Sequence, residues 1–171
     1  MNKILKITAF VVLLVGLVSC GVKYSFTGAS IAPEVKTYSV ADFPNVAPMV
    51  SPILSSTFTA ALMDKMARST SLSQVSSNQV GDMCFEGEIV DYTSMPIAVT
   101  GDEYATKNRL TVTVRVKFVN RFQPKNNFDK RFSAYEDYDN NLMLQSVEPT
   151  LIPQIVDKLV TDIFNAAASN W

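Results

Sequence analysis

Few side chains in this sequence could do chemistry, and their spacing limits what that chemistry is. Glu86 and Glu88 lie two apart in "CFEGEIVDY", and Asp102 and Glu103 are adjacent in "VTGDEYATKNR". Cationic residues alternate with apolar ones in "NRLTVTVRVKFVNR", where Arg109, Arg115 and Lys117 share one parity. Two cysteines, Cys20 and Cys84, complete the set, and histidine is absent. Without imidazole there is no His-based triad, no histidine general base and no histidine metal ligand. A carboxylate pair that hydrolyses glycosides must face itself across a cleft, about 5–9 Å apart. Glu86 and Glu88 instead project side by side from one face of a strand. No catalytic centre, metal site or cofactor site is expected.

Cys20 has a different chemistry. It ends the run "VVLLVGLVSC", which follows Lys3 and Lys6 and is too short for the roughly 20 apolar residues of a membrane-spanning helix. A basic start, a short apolar core and a small-residue end make a secretory signal peptide. "LVSC" resembles the lipobox of bacterial lipoproteins, in which the cysteine thiol is diacylated, the chain is cut before it, and the new amine takes a third chain. The expected organisation is a cleaved signal peptide at 1–19, a lipidated N-terminus and tether at 20–33, and one domain at 34–171. Lipidation of Cys20 leaves Cys84 as the sole thiol, so no internal disulfide forms, and its apolar neighbours give it a packing role. The chain has 15 basic and 16 acidic residues, and cleavage removes only the bases Lys3 and Lys6. A slightly acidic domain lacks the basic footprint of a nucleic-acid partner.

The elements that position these residues follow from periodicity. "EVKTYSVADF" alternates Val35, Thr37 and Ser39 against Lys36, Tyr38 and Val40, a strand with one better-buried face. Three prolines in "FPNVAPMVSP" then forbid regular structure. Ser51 and Pro52 fit the N-cap and first position of a helix. Leu54, Phe58, Ala61, Leu62 and Met66 form its apolar stripe, which ends near Arg68. The serine-rich "STSLSQVSSNQVGD" is expected to be loop. "CFEGEIVDY" sets Phe85, Gly87 and Ile89 against Glu86 and Glu88. In the valine-rich segment Leu110, Val112, Val114, Val116 and Phe118 oppose Arg109, Thr111, Thr113, Arg115 and Lys117. "NRFQPKNN" is short enough for a hairpin turn into a less regular strand built around Phe128, Phe132 and Tyr135. A C-terminal helix buries Ile152, Val156, Leu159, Ile163 and Ala167, with Pro149 and Pro153 expected near its start. The order β-α-β-β-β-α predicts an α+β two-layer sandwich: a four-stranded sheet with two helices on one face and the polar face uncovered.

A lipobox followed by this order, with "FEGEIVDYT", "NRLTVTVRVKFVN" and a terminal "IVDKLVTDIFN", resembles the lipopolysaccharide-assembly lipoprotein family LptE over essentially the whole mature chain. The resemblance implies a non-enzymatic outer-membrane lipoprotein, anchored by acyl chains and facing the periplasm. It implies that the domain sits as a plug in the lumen of the β-barrel LptD and assists its assembly. It also implies that the pair moves lipopolysaccharide to the outer leaflet, and that the lipoprotein itself binds lipopolysaccharide. "GVKYS" after Cys20 has neither an adjacent aspartate nor an acidic cluster, which is compatible with the inner leaflet of the outer membrane.

Two readings of the charged face remain open. Arg109, Arg115 and Lys117 project in one direction, with Lys130 or Arg131 beside them on the next strand. Such a row suits lipid A phosphates or a barrel wall through charge-assisted hydrogen bonds. Alternatively, Glu86 and Glu88 pair with these cations across strands and the face is merely solvated. A generic periplasm-facing lipoprotein that binds another envelope partner or lipid is the competing function. The segment between Thr93 and Asn108 is a candidate interaction loop. Replacing Cys20 by serine should abolish metabolic acyl labelling. Each buried CH₂ contributes about 0.8 kcal/mol, so two or three chains anchor stably where one does not. A Cys20→Ser protein that is still labelled and retained on membranes after an alkaline wash would contradict the lipoprotein reading.

Overall fold

The computed structural model describes residues 31–76, 79–97 and 107–168, and residues from Ile31 onward form one compact unit. The expected signal peptide 1–19, Cys20, most of the 20–33 tether and most of the candidate loop lie outside the described residues.

The valine-rich segment organises the sheet. It forms β4 (Lys107–Asn120), paired antiparallel along its length to β3 (Met83–Ile97) on one side and to β5 (Phe128–Asp139) on the other. Leu110, Val112, Val114, Val116 and Phe118 are fully buried, the result of strict alternation on a central strand. β1 (Thr37–Val40) runs parallel to β3, and β2 (Ser73–Gln74) runs parallel to β1, giving the order β2-β1-β3-β4-β5. The sheet therefore has five strands where four were expected. β2 is two exposed residues inside the serine-rich loop, too short to carry an alternation.

β3 contains a β-bulge. Ile89 lies opposite Val114 and Asp91 opposite Thr113, which leaves Val90 without a partner. Before the bulge Phe85 and Ile89 face the core; after it Tyr92 does, so the buried parity changes from odd to even. Gly87 sits in this stretch for a steric reason. A Cβ there would lie 2.6 Å from the Phe43 ring and still closer to the Arg115 carbonyl. Phe43 fills the space, edge-on to Phe58 at 4.9 Å.

Helix α1 (Leu54–Ser69) buries Leu54, Phe58, Thr59, Leu62 and Met66. Its cap differs from expectation. The cap position is Ile53, without a side-chain hydrogen bond, and the Ser51 hydroxyl instead donates to Glu148 at 3.4 Å. Ser55 donates to the Phe43 carbonyl and the Phe43 amide donates to Thr59, which ties the proline-rich approach to the helix.

Helix α2 (Leu144–Ala168) starts earlier than its prolines suggested, so Pro149 and Pro153 are interior. Their spacing of four places both on the exposed side. The carbonyls deprived of a donor thus face water, and the ring clashes do not disturb the packed stripe. Ser51 meets Glu148 near both helix starts, and Lys65 meets Thr161 a few turns on, so the two helices run parallel. Together they cover one sheet face with one core.

Asp82 fastens β1 to β3. Its Oδ2 accepts the Lys36 and Thr37 amides and the Thr37 hydroxyl, each at 2.9 Å, while its own amide donates to Thr37 Oγ1. The first of these bonds does most to hold its carboxyl below the ordinary aspartate range.

Val114→Ala should lower stability by about 1–3 kcal/mol through lost burial and a residual cavity. Thr113→Ala, on the opposite face of the same strand, should cost far less. Chemical denaturation of both variants checks this, and equal midpoint shifts would contradict the assignment of faces.

Candidate functional site

The register assigns every side chain on the open sheet face. β4 contributes Lys107, Arg109, Thr111, Thr113, Arg115 and Lys117. Opposite them lie Glu86, Glu88, Asp91, Thr93, Met95 and Ile97 of β3, and Asp129, Arg131, Ser133, Tyr135, Asp137 and Asp139 of β5. A cationic central strand is thus flanked by two largely acidic ones, with hydroxyls across the middle.

Arg109, Arg115 and Lys117 share this face, as expected. The choice between Lys130 and Arg131 is settled by register: Arg131 lies opposite Arg115, whereas Lys130 lies opposite Val116 and belongs to the helix side. There its ammonium sits 5.4 Å from the Phe128 ring. Tyr135 lies opposite Thr111 on the open face, and the inward positions of β5 are Phe128, Phe132, Ala134 and Tyr138.

Most of these cations already have partners. Arg115 donates from Nε and Nη2 to both oxygens of Asp129, at 2.9 and 2.7 Å, and its Nη1 is 3.9 Å from Glu88. Lys117 lies 3.5 Å from Glu86. Arg109 forms a second fork with Asp137, at 2.7 and 3.0 Å, and its guanidinium rests 3.7 Å from the centre of the Tyr135 ring. These forks lower the carboxyl pKa of Asp129 and Asp137, chiefly through the arginine hydrogen bonds, and raise those of both guanidinium groups. Arg131 has no carboxylate partner among the described residues. Glu86, Gly87, Glu88, Arg115, Lys117 and Asp129 line a shallow depression of about 270 Å³.

The Glu–cation pairing was legible from strand parity, but Asp129 and Asp137 were missed. Both lie at odd positions of "NFDKRFSAYEDYD", in phase with Tyr135. A strand built around Phe128, Phe132 and Tyr135 mixes both parities, which hid that phase.

The face ends at a guarded edge. Lys158 of α2 donates to the Tyr135 carbonyl at 3.1 Å and pairs with Glu136 at 2.7 Å, placing a charge at the rim of edge strand β5. Besides Met95 and Tyr135 on the open face, several exposed apolar residues lie before the helix starts: Val46, Met49, Val50 and Ile53 precede α1, and Leu142 and Met143 precede α2. Cys84 is buried, its Sγ 3.1 Å from the Gly81 carbonyl oxygen, in keeping with packing. Among the described residues no cluster of His, Cys, Asp and Glu could hold a metal ion, and no helix is long and apolar enough to cross a membrane.

Two parallel helices on a five-stranded mixed sheet, with the other face open and ion-paired, define a two-layer α+β domain. The chain belongs to the LptE family, described as lipopolysaccharide-assembly, whose family model matches residues 35–167. Among solved structures, a hypothetical protein from Chlamydia trachomatis is similar at 9% identity and a TM-score of 0.54, over 78% of this chain and 96% of that one. An uncharacterized lipoprotein B from Nitrosomonas europaea is similar at 10% identity and a TM-score of 0.50, over 80% and 84%. At these identities the likeness shows the fold. No curated protein sequence matches the chain.

The Arg109–Asp137 fork should shape the acid limb of stability. Its arginine holds Asp137 below the unfolded-state value, so its contribution is complete above about pH 5, clear of the unfolded titration, and is lost as pH falls through the folded value. Asp137→Asn should therefore destabilise the protein at neutral pH and flatten the stability profile between about pH 5 and 2. Urea unfolding across that range measures both effects; a profile as steep as wild type would remove Asp137 from the account.

Proposed function

We propose that this protein is an outer-membrane lipoprotein of lipopolysaccharide assembly, held to the inner leaflet by an acylated Cys20 and working with an LptD-type β-barrel. On this reading the domain assists barrel assembly, occupies the barrel lumen facing the periplasm, and contributes no catalytic chemistry. Family membership over residues 35–167 carries the proposal. The open sheet face supports it, because the domain has no cover of its own for that face among the described residues.

On the same reading, Arg115, Lys117 and Arg131 receive lipid A phosphates, with Arg109 as the structured flank of the surface. Guanidinium groups fixed on a rigid strand suit phosphate oxygens, since their planar forks match oxyanion geometry and little rotamer freedom is lost on binding. Lys130, on the helix side, is left out of this surface.

Reversing Arg115 and Lys117 together to glutamate should leave a folded protein by circular dichroism. It should sharply reduce recovery of the barrel with tagged lipoprotein from outer membranes, or binding of lipopolysaccharide. Glu86→Lys with Glu88→Lys breaks the pairs of Lys117 and Arg115 with β3 but leaves the Arg115–Asp129 fork and adds positive charge, and serves as the control. If both double mutants fold, retain the barrel and bind lipopolysaccharide like wild type, the face is merely solvated. Failure of the tagged wild type to recover any large β-barrel would favour a lipoprotein with another envelope partner.

A further inference from the structure

We infer that Asp129 is a built-in competitor on the open face, occupying the place on Arg115 that a phosphomonoester must take. The inference rests on reading this face as a phosphate-recognition surface and concerns how that surface is regulated.

A guanidinium binds an oxyanion best through two parallel N–H groups. On Arg115 the Nε and Nη2 pair is filled by both oxygens of Asp129, and Nη1 faces Glu88. The equivalent fork of Arg109 is filled by Asp137 and its flat side by Tyr135, while Lys117 lies beside Glu86. A carboxylate and a phosphate offer such a fork the same two acceptors. The central strand therefore already holds internal copies of the ligand's binding group.

Arg131 breaks the pattern. It sits directly opposite Arg115, where a like charge is unfavourable, and no carboxylate among the described residues compensates it. The Arg115–Asp129 pair is half exposed, at 51% and 44%, so burial does not lock it. A phosphomonoester that lands on Arg131 reaches Arg115 by displacing one carboxylate, and gains two arginines where Asp129 used one. A singly charged anion gains no such surplus. Asp129 thus sets a threshold that favours a dianionic phosphate over weaker anions.

The test uses the mature lipoprotein in non-ionic detergent, titrated with bis-phosphorylated lipid A, with lipid A stripped of both phosphates, and with inorganic phosphate. Asp129→Asn, which keeps shape and frees the fork, should bind phosphorylated lipid A roughly two- to fivefold more tightly, the scale of a surface ion pair. Glu88→Gln should give a smaller gain. Arg131→Gln should cancel the gain of Asp129→Asn. Asp91→Asn makes the same charge change on the same face without an ion pair, and should change affinity little.

A gain shared by inorganic phosphate would mark phosphate alone as the exchanging group, and a gain confined to lipid A would mark the lipid headgroup; either supports exchange. An equal gain with stripped lipid A, or with Asp91→Asn, overturns it. Unchanged or weaker binding by Asp129→Asn, while Arg115→Gln still weakens binding, also overturns it and makes Asp129 a positioning residue, leaving the phosphate-recognition reading intact. If neither Arg115→Gln nor Arg131→Gln alters affinity, both the inference and that reading fall.

Discussion

One unpaired residue in β3 decides what the open face contains. With Val90 left over between Ile89 and Asp91, the parity of buried positions changes, and Tyr92 enters the core where strict alternation would have put Asp91. Without that shift, Asp91 and Thr93 would press into the helices. Each would then need a buried partner or cost the desolvation of a polar group. The bulge also lets the Tyr92 hydroxyl reach Glu148 of α2 at 2.5 Å, and burial together with that contact pushes the Tyr92 pKa well up. The same Glu148 receives Ser51, so sheet, helix and proline-rich approach converge on one carboxylate.

The bulge also marks where sequence reasoning stops. A strand that alternates through five apolar positions, as β4 does, leaves only one way to face a core. Both helix stripes were equally legible, because residues three and four apart must share a side. Val90 was not legible, since "GEIVDYT" reads smoothly through the point where the register slips. Nor were Asp129 and Asp137, because a partner across a hairpin depends on turn length. Here the turn is fixed by Asn120, whose side-chain oxygen accepts the Phe122 and Gln123 amides. Ser51 looked like a cap because its type and the following proline fit one. The Glu148 carboxylate that it meets instead lies 97 residues away. Local pattern carries the periodic part of this fold, and long-range partners carry the rest.

The electrostatics of the face are balanced rather than merely positive. All its cations but Arg131 stand on one strand, and carboxylates from both neighbours hold most of them. Such a surface keeps long side chains extended and ordered. It is also slow to attract stray anions, because the field of each fork is largely cancelled within a few ångströms and salt screens what remains. A ligand must therefore come close and match geometry before it gains anything. Arg131 has no such carboxylate among the described residues, and it lies beside the more exposed fork.

The connectivity of the sheet has a kinetic consequence. β3, β4 and β5 follow one another as an antiparallel meander, so their pairing closes only short loops and carries a small entropic cost. β1 must find β3 across more than forty residues, in parallel, after α1 has crossed between them. Contacts of low sequence separation form faster than distant ones. The meander is thus the natural nucleus, and β1, fastened by Asp82, joins after it and gives β2 its only partner among the described strands. Until it does, the β3 edge is unpaired and the Phe43 ring has not reached the space above Gly87. A newly made chain passes through that interval with a sticky strand edge exposed, and the time to docking of β1 sets how long it needs protection from its neighbours.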